Sequence, residues 1–598
     1  MPIRLLLTVT VAALLTAATG CATSPPGPIQ AAAAFVSAFA AADPAAAATY
    51  TTRPETAATA LASAWEELGA EQLTAATGRA EVTGDTATVE YTYRWQLPRE
   101  RTWEYSGLLQ MGRSNGRWVV RWTSSNIHPE LGDTQTMLLR VDPAPRARVN
   151  EQAGSDVLVP GTVTRVTFSV TDADDPDAVA AALSAVLTRF DADLTPENIV
   201  TAARDAGAGG GPHTVILLTE TEFGQVGAEL IGLPGVRLTQ EWDLVPTERG
   251  FAPDLLTQVR AAVIDEVDGK AGWRVVTVNA NGAPAGVLHE VLPQPAPSFT
   301  LSVDRFVQNA AQRAVDARPE QAMMVVIEPS TGAILAVAQN AAADRDGPIA
   351  TIGRYPPGSV FKTVTAAAAI AAGTATPDTV LPCPSEIVIG ERTIPNYNHF
   401  SVGPVPMATA YERSCNTSFA KLAAGLPADA LHRAAASFGI GPDYTVAGLP
   451  TFSGSVPPAD DLTQRIEDGI GQGRVVASPF GMALLAATIA QGTAPVPYLI
   501  AGRETVIEGE RPVPDPAVIE GLQMMMRKVV TGGTAARIAD QGEVYGKTGE
   551  AEVAGGSHSW FVGYRGDIAF AALLVRGGSS DHAVAVTREM LAALPPGY

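Results

Sequence analysis

An α+β fold spread over several domains is what this sequence predicts, and three observations carry the prediction. Its 598 residues are too many for one hydrophobic core, so three or four domains are expected. Alanine-rich helical windows alternate with short stretches of strand-type alternation. Two connections punctuate the chain, one containing proline and glycine at residues 142–162 and one containing proline at 292–304. The composition, 46% hydrophobic and 17% charged, is that of a globular protein. The net charge is −21, and no run of Lys and Arg supplies the basic patch that nucleic-acid binding needs, which argues against that class.

The first 20 residues read as an export signal. Met1-Pro2-Ile3-Arg4 is a short basic start, residues 5–18 are apolar with three interrupting threonines, and a polar Ser-Pro-Pro-Gly follows at 24–27. The apolar stretch is short for a membrane span. Ala18-Thr19-Gly20-Cys21 resembles the bacterial lipobox, with Ala18 where leucine is usual. That resemblance implies a lipidated Cys21. The competing reading is an uncleaved signal anchor. Either one puts the remainder outside the cytoplasm, at the outer face of the cell membrane.

Residues 28–142 predict a small α+β domain. Helices are expected at 29–42 and 54–68. Strand pairs are expected at 81–83 with 86–96, around Gly84-Asp85, and at 101–111 with 117–122, around Ser114-Asn115-Gly116. Helices ahead of a curled antiparallel sheet resemble the cone-shaped domain of the nuclear transport factor 2 (NTF2) family, and a structural or spacer role is expected. Residues 143–297 mix strands (163–170, 214–219, 273–279) with helices (176–190, 196–206). They contain no catalytic constellation, so a scaffold or pedestal is expected. Residues 298–598 open with a helix at 304–317 and two apolar strands within 322–338, joined by a Pro-Ser-Thr-Gly turn. Alanine-rich helices then alternate with strands to the end.

Lysine is scarce: Lys270, Lys362, Lys421, Lys528 and Lys547 are all there are. Lys362 lies three residues after Ser359, just past the Pro356-Pro357-Gly358 turn and at the start of an apolar helical run. Free backbone N–H groups at a helix start favour developing negative charge. A lysine on the apolar side of that helix is desolvated, its pKa falls, and it becomes a base beside a hydroxyl nucleophile. The spacing alone is weak, because Ser418 and Lys421 share it. Order along the chain separates the two. Ser414-Cys415-Asn416 begins 55 residues after Ser359, and Lys547-Thr548-Gly549 begins 133 residues after Ser414. No S-x-N follows Ser418.

S-x-x-K, S-x-N and K-T-G in this order resemble the penicillin-recognising serine transferases, that is, penicillin-binding proteins and serine β-lactamases. The segments IEPSTGAILAVA, GIGQGRVVASPFGMALLAATIAQGT, VVTGGTA and GKTGEAEVAGGSHSWFVGY also resemble that family, so the likeness covers roughly 298–595. The upstream regions resemble the N-terminal domain and pedestal of class B penicillin-binding proteins of the MecA type. The resemblance implies a serine transpeptidase/β-lactamase-like domain, an antiparallel sheet with flanking helices plus an all-α subdomain. It implies Ser359 as nucleophile on the D-Ala-D-Ala end of a peptidoglycan stem peptide and Lys362 as base. Ser414 is the implied proton relay. Asn416, Lys547, Thr548 and Gly549 are the implied substrate-binding residues, with the backbone N–H groups of Ser359 and Glu550 as oxyanion hole. β-Lactams are the implied inhibitors and cell-wall synthesis proteins the implied partners; no cofactor or metal is expected.

Two departures stand out. Glu550 occupies the position after K-T-G where the family commonly has Thr or Ser, adding a negative charge near an anionic ligand. The Arg-Gly motif usual at the pedestal start appears only as PRARVN. A D,D-carboxypeptidase would use the same residues with water as acceptor. A serine β-lactamase is disfavoured because residues 438–458 hold Asp443 but no glutamate. A non-catalytic β-lactam-binding scaffold or sensor is the remaining alternative. Whether Cys383 and Cys415 pair is left open by the sequence.

Overall fold

A computed structural model of the chain describes residues 26–598; the expected signal (1–20) and Cys21 lie outside the described residues. Among the described residues two compact units form, one of the residues up to Pro145 with Gly269–Pro295, the other of Arg146–Asp268 with Ala296–Tyr598. Among the described residues no helix is long and apolar enough to cross a membrane.

In the first unit, helices Pro28–Ala40, Pro44–Ala48 and Pro54–Leu68 each begin with proline in their first turn, where its missing N–H costs nothing. A four-stranded antiparallel sheet follows: Gln72–Thr83, Thr86–Leu97, Arg101–Ser114 and Arg117–Val120, in that order. Ala87, Val89, Tyr91, Tyr93, Trp95 and Leu97 alternate inward from the second strand, a period of two that fixes register. They meet Phe35, Phe39 and Leu61 of the helices in one aromatic-rich core. Trp95 donates its indole N–H to the Tyr105 hydroxyl (3.0 Å), which donates to the Ile127 carbonyl (2.8 Å).

One expected boundary is corrected. The strand foreseen at 273–279, Gly272–Val278, was grouped with residues 143–297. It pairs instead with Thr136–Asp142 on one side and Pro284–Val291 on the other, and Trp273 and Val275 join the first unit's core. The chain thus leaves this unit and returns to complete it, an excursion that local periodicity does not encode.

The second unit opens with a sheet built on Asp156–Phe168, flanked by His213–Thr219 and Val236–Pro246. Helices Pro176–Leu187, Pro196–Ala208 and Glu220–Leu230 contribute to its core. The last helix and the strand Val236–Pro246 were not foreseen. Its residues Val149, Leu158 and Leu244 also belong to the hydrophobic cluster that includes Leu301, Val325 and Phe570, so the expected division at 297/298 runs through a shared core.

The sheet that positions the site is antiparallel, in the order Ile334–Gln339, Ala322–Ile327, Ile568–Leu574, Gly556–Arg565, Val544–Val553. Every residue of the first three of these strands is buried, because helices Arg305–Asp316, Pro479–Gln491 and Asp581–Ala592 pack against the sheet. Burial on both faces explains why these strands read as unbroken apolar runs. Short helices, among them Met407–Glu412, Asn416–Ala424 and Ala430–Ser437, make up the helical part beside the helix Lys362–Ala371.

Candidate active site

The helical run expected after the Pro356-Pro357-Gly358 turn begins differently: Gly358–Phe361 is a 3-10 turn, and the α-helix runs Lys362–Ala371. In a 3-10 turn, side chains three apart eclipse, and Lys362 Nζ lies 2.9 Å from Ser359 Oγ. Gly358 has φ +52, and a Cβ there would meet the Glu550 carbonyl oxygen at 2.5 Å; Gly471 has φ +75, and a Cβ there would meet the Gly358 carbonyl oxygen at 2.0 Å. The Gly358 N–H donates to the Gly471 carbonyl (2.9 Å). Glycine at both positions lets the turn that carries Ser359 sit directly on neighbouring backbone. Gly549 has the same reason: a Cβ would press on Val360 Cγ2 at 2.6 Å.

All three motifs converge. Lys362, with no exposed surface, donates to Ser414 O (2.7 Å) and Asn416 Oδ1 (2.6 Å), and it is within 3.2 Å of Ser414 Oγ as well as bonded to Ser359 Oγ. The carbonyl and amide oxygens only accept, so a neutral amine gives its two N–H groups to them and keeps its lone pair for a serine hydroxyl. Burial pushes Lys362 well below its ordinary pKa, and the nearby Lys547 charge pushes it the same way. Lys547 is equally buried. Its Nζ reaches Ser414 Oγ (3.1 Å) and the Thr548 carbonyl (2.8 Å), and burial lowers its pKa to about 7.

A cleft of about 850 Å³ opens over these groups, with Ser359, Ser414, Asn416, Thr548 and Glu550 in its wall. Thr548, Glu550 and Glu552 line it as alternate residues of one strand. The Glu550 carboxylate accepts a hydrogen bond from Ser557 (2.8 Å). Ser418 and Lys421 stay apart from this site: Ser418 donates to the Pro382 carbonyl, and Lys421 is exposed.

Several features of the cleft were not assigned a place in it from the sequence. Thr534, in the VVTGGTA segment, shares a 2.5 Å hydroxyl contact with Thr548. Tyr397, His399 and Phe400 come from a loop with no motif, and Asp581 starts the last helix. Cys383 and Cys415 form a disulfide. Among the described residues, no group of three or more His, Cys, Asp or Glu side chains is gathered closely enough to hold a metal ion.

Comparison with known proteins gives the site its context. Residues 322–592 match the penicillin binding protein transpeptidase domain, and residues 27–135 match the NTF2-like N-terminal transpeptidase domain. Peptidoglycan D,D-transpeptidase PbpA of Mycobacterium tuberculosis is 31% identical over 212 residues, 30% of this chain and 43% of that protein. Peptidoglycan D,D-transpeptidase MrdA of Escherichia coli is 28% identical over 272 residues, 40% of this chain and 42% of that one. The matched region therefore spans less than half of these relatives' length. A solved complex between penicillin-binding protein PBP2 and MreC from Helicobacter pylori aligns with TM-score 0.55 and 17% identity, over 76% of this chain and 98% of that one; it supports the fold alone. The succession of these two domains along one chain, together with the relatives' shared kind, makes this chain a member of the class B penicillin-binding proteins.

Proposed function

We propose that the chain is a peptidoglycan D,D-transpeptidase that cross-links stem peptides through an acyl-enzyme on Ser359 and is acylated at the same atom by β-lactams. The observation that carries this reading is the buried amine of Lys362, bonded at once to Ser359, Ser414 and Asn416. As Ser359 Oγ attacks the carbonyl carbon of the penultimate D-alanine, its proton passes to Lys362 Nζ. The oxyanion that forms faces the backbone N–H groups of Ser359 and Glu550. Ser414, within 3.2 Å of both lysine amines, relays a proton to the departing nitrogen as the C–N bond breaks. Lys547 and Thr548 hold the terminal carboxylate. An amine of a second stem peptide then attacks the ester, Ser359 leaves, and the cross-link is made.

The cleft is large for one peptide end, which favours an acceptor peptide over water alone. Export and a lipid on Cys21 would hold the enzyme at the outer face of the membrane, where its substrates lie. Other cell-wall synthesis proteins are proposed partners, in line with the PBP2–MreC complex among the similar folds. Intact-mass and peptide-mapping analysis after penicillin treatment tests the reading. A long-lived adduct on Ser359, absent in Ser359→Ala, is expected, with acceptor-dependent product in a peptide assay. An adduct that hydrolyses within seconds would instead make the protein a β-lactamase. Neither an adduct nor peptide turnover would leave a scaffold.

A further inference from the structure

The middle residue of the S-x-N motif is a disulfide cysteine, and the motif reading gives it no task. Cys415 stands between Ser414 and Asn416, two of the three residues that bond Lys362. Ser414 adopts φ +59, a left-handed backbone that a non-glycine residue keeps only when its surroundings hold it there. Cys383, its bonded partner 32 residues away, ends the strand Val380–Cys383 and pairs in register with Gly403 at the start of Gly403–Pro406. The residues between these strands carry the cleft loop with Tyr397, His399 and Phe400.

Further bonds run parallel to the disulfide. Asn396, 2% exposed, donates to the Pro384 and Phe400 carbonyls at 2.7 and 3.0 Å, and its Oδ1 accepts the Thr417 N–H at 3.1 Å. Asn416 Nδ2 donates to the Pro395 carbonyl at 3.0 Å. The loop and the turn are thus joined by hydrogen bonds on the C-terminal side of Cys415 and covalently at Cys415 itself. Both cysteines are fully buried, which keeps the link away from solvent in the folded protein.

We infer that the Cys383–Cys415 disulfide is a positioning element for the reaction: it fixes the Ser414-Cys415-Asn416 turn, and through it the partners of Lys362, to the loop that walls the cleft. This rests on the function proposed above. The polar groups facing Lys362 are Ser359, Ser414 and Asn416, and the charge nearest to it is Lys547. A loosened turn withdraws the oxygens that orient the amine and admits water around it. Misplacement of about 1 Å in such a constellation costs on the order of a hundredfold in rate.

The test is the second-order rate of acylation by a fluorescent penicillin, measured from pH 5 to 9 on the full chain and on the double variant Cys383→Ser/Cys415→Ser, with Tm recorded beside it. The double variant is expected to fold, to acylate at least about tenfold more slowly, and to show its acid limb displaced to higher pH as Lys362 regains solvation. Asn396→Ala, which keeps the disulfide, is expected to move rate and pH limb in the same direction by less. Alkylation of the denatured wild type without reductant is expected to leave both cysteines unlabelled. A folded double variant with wild-type rate and pH profile overturns the inference, whatever its Tm. So does labelling of both cysteines, or a chain that folds only with the bond intact, since the bond then serves folding rather than positioning. A wild type that takes up no penicillin sinks the proposed function itself, which is a separate result.

Discussion

Ser359/Lys362 and Ser418/Lys421 are two copies of one spacing, and they share nothing else. The first pair spans a 3-10 turn, so its side chains eclipse and touch. The second lies in the helix Asn416–Ala424, where Ser418 turns inward to the Pro382 carbonyl and Lys421 stays in the exposed last turn. A lysine there is favoured by the helix dipole and by water. Lys362 has neither. It has no carboxylate partner, no solvent and a second lysine nearby. What makes a lysine a base is burial without a counter-ion, and spacing only brings it to the hydroxyl.

The contrast breaks most directly at the first pair. Ser359→Ala is expected to abolish acylation, and Lys362→Ala to slow it by roughly a thousandfold or more, as loss of a nucleophile or its base does. Rapid-quench labelling with penicillin reads both, and a Lys362→Ala enzyme within tenfold of wild type would remove the lysine from its proposed role. Gly471→Ala comes next. Its Cβ would lie 2.0 Å from the Gly358 carbonyl oxygen at a φ of +75, so the turn under Ser359 must shift. A stability loss of about 2–4 kcal/mol is expected, together with slower acylation of the folded fraction. Denaturant unfolding alongside the acylation rate separates the two effects.

The buried lysines also set a pH dependence. Lys547 has its folded pKa lowered to about 7, below its unfolded value, so the unfolded chain holds more protons between the two. The cost of burying it is fully present below pH 7 and fades as pH rises toward the unfolded pKa. Lys547→Met is therefore expected to raise Tm by about 2–5 °C at pH 6 while lowering affinity for anionic ligands. The gain should shrink at pH 9; a constant or reversed gain would show that Lys547 is not neutralised by burial. For wild type, binding of anionic β-lactams should weaken above about pH 7 as that charge is lost.

Glu550 gives a smaller effect. Its carboxylate lines the cleft and is held by Ser557, so Glu550→Thr is expected to speed acylation by anionic β-lactams by about three- to tenfold, through removal of a nearby like charge. A zwitterionic β-lactam should respond less. Equal or slower acylation of the variant by the anionic compound would end the argument. The smallest effect belongs to the second pair: Lys421→Ala should leave acylation within about twofold of wild type, in keeping with an exposed lysine.

Much of this was legible in the residues. The helices expected from 29 and from 54 and the strand expected over 86–96 follow from local rules, and the structure has them within a residue or two, at Pro28–Ala40, Pro54–Leu68 and Thr86–Leu97. The strands Ala322–Ile327 and Ile334–Gln339 are apolar throughout because both faces are covered, and that too can be read from a run of apolar residues around a turn. The sequence by itself determined which side chains are available for chemistry: two serines and two lysines in three ordered motifs, few other lysines, and a glutamate where a hydroxyl is usual. Only the tertiary structure decided the rest. It chose between the two S-x-x-K pairs by burying one lysine and exposing the other. It returned Gly272–Val278 to the first unit's sheet, joined Cys383 to Cys415, and brought Thr534 to Thr548. The physical reason is range. Propensity, capping and periodicity act over a few residues, whereas desolvation of an amine, closure of a disulfide and strand pairing depend on segments tens to hundreds of residues apart, which the chain brings together only when its cores close.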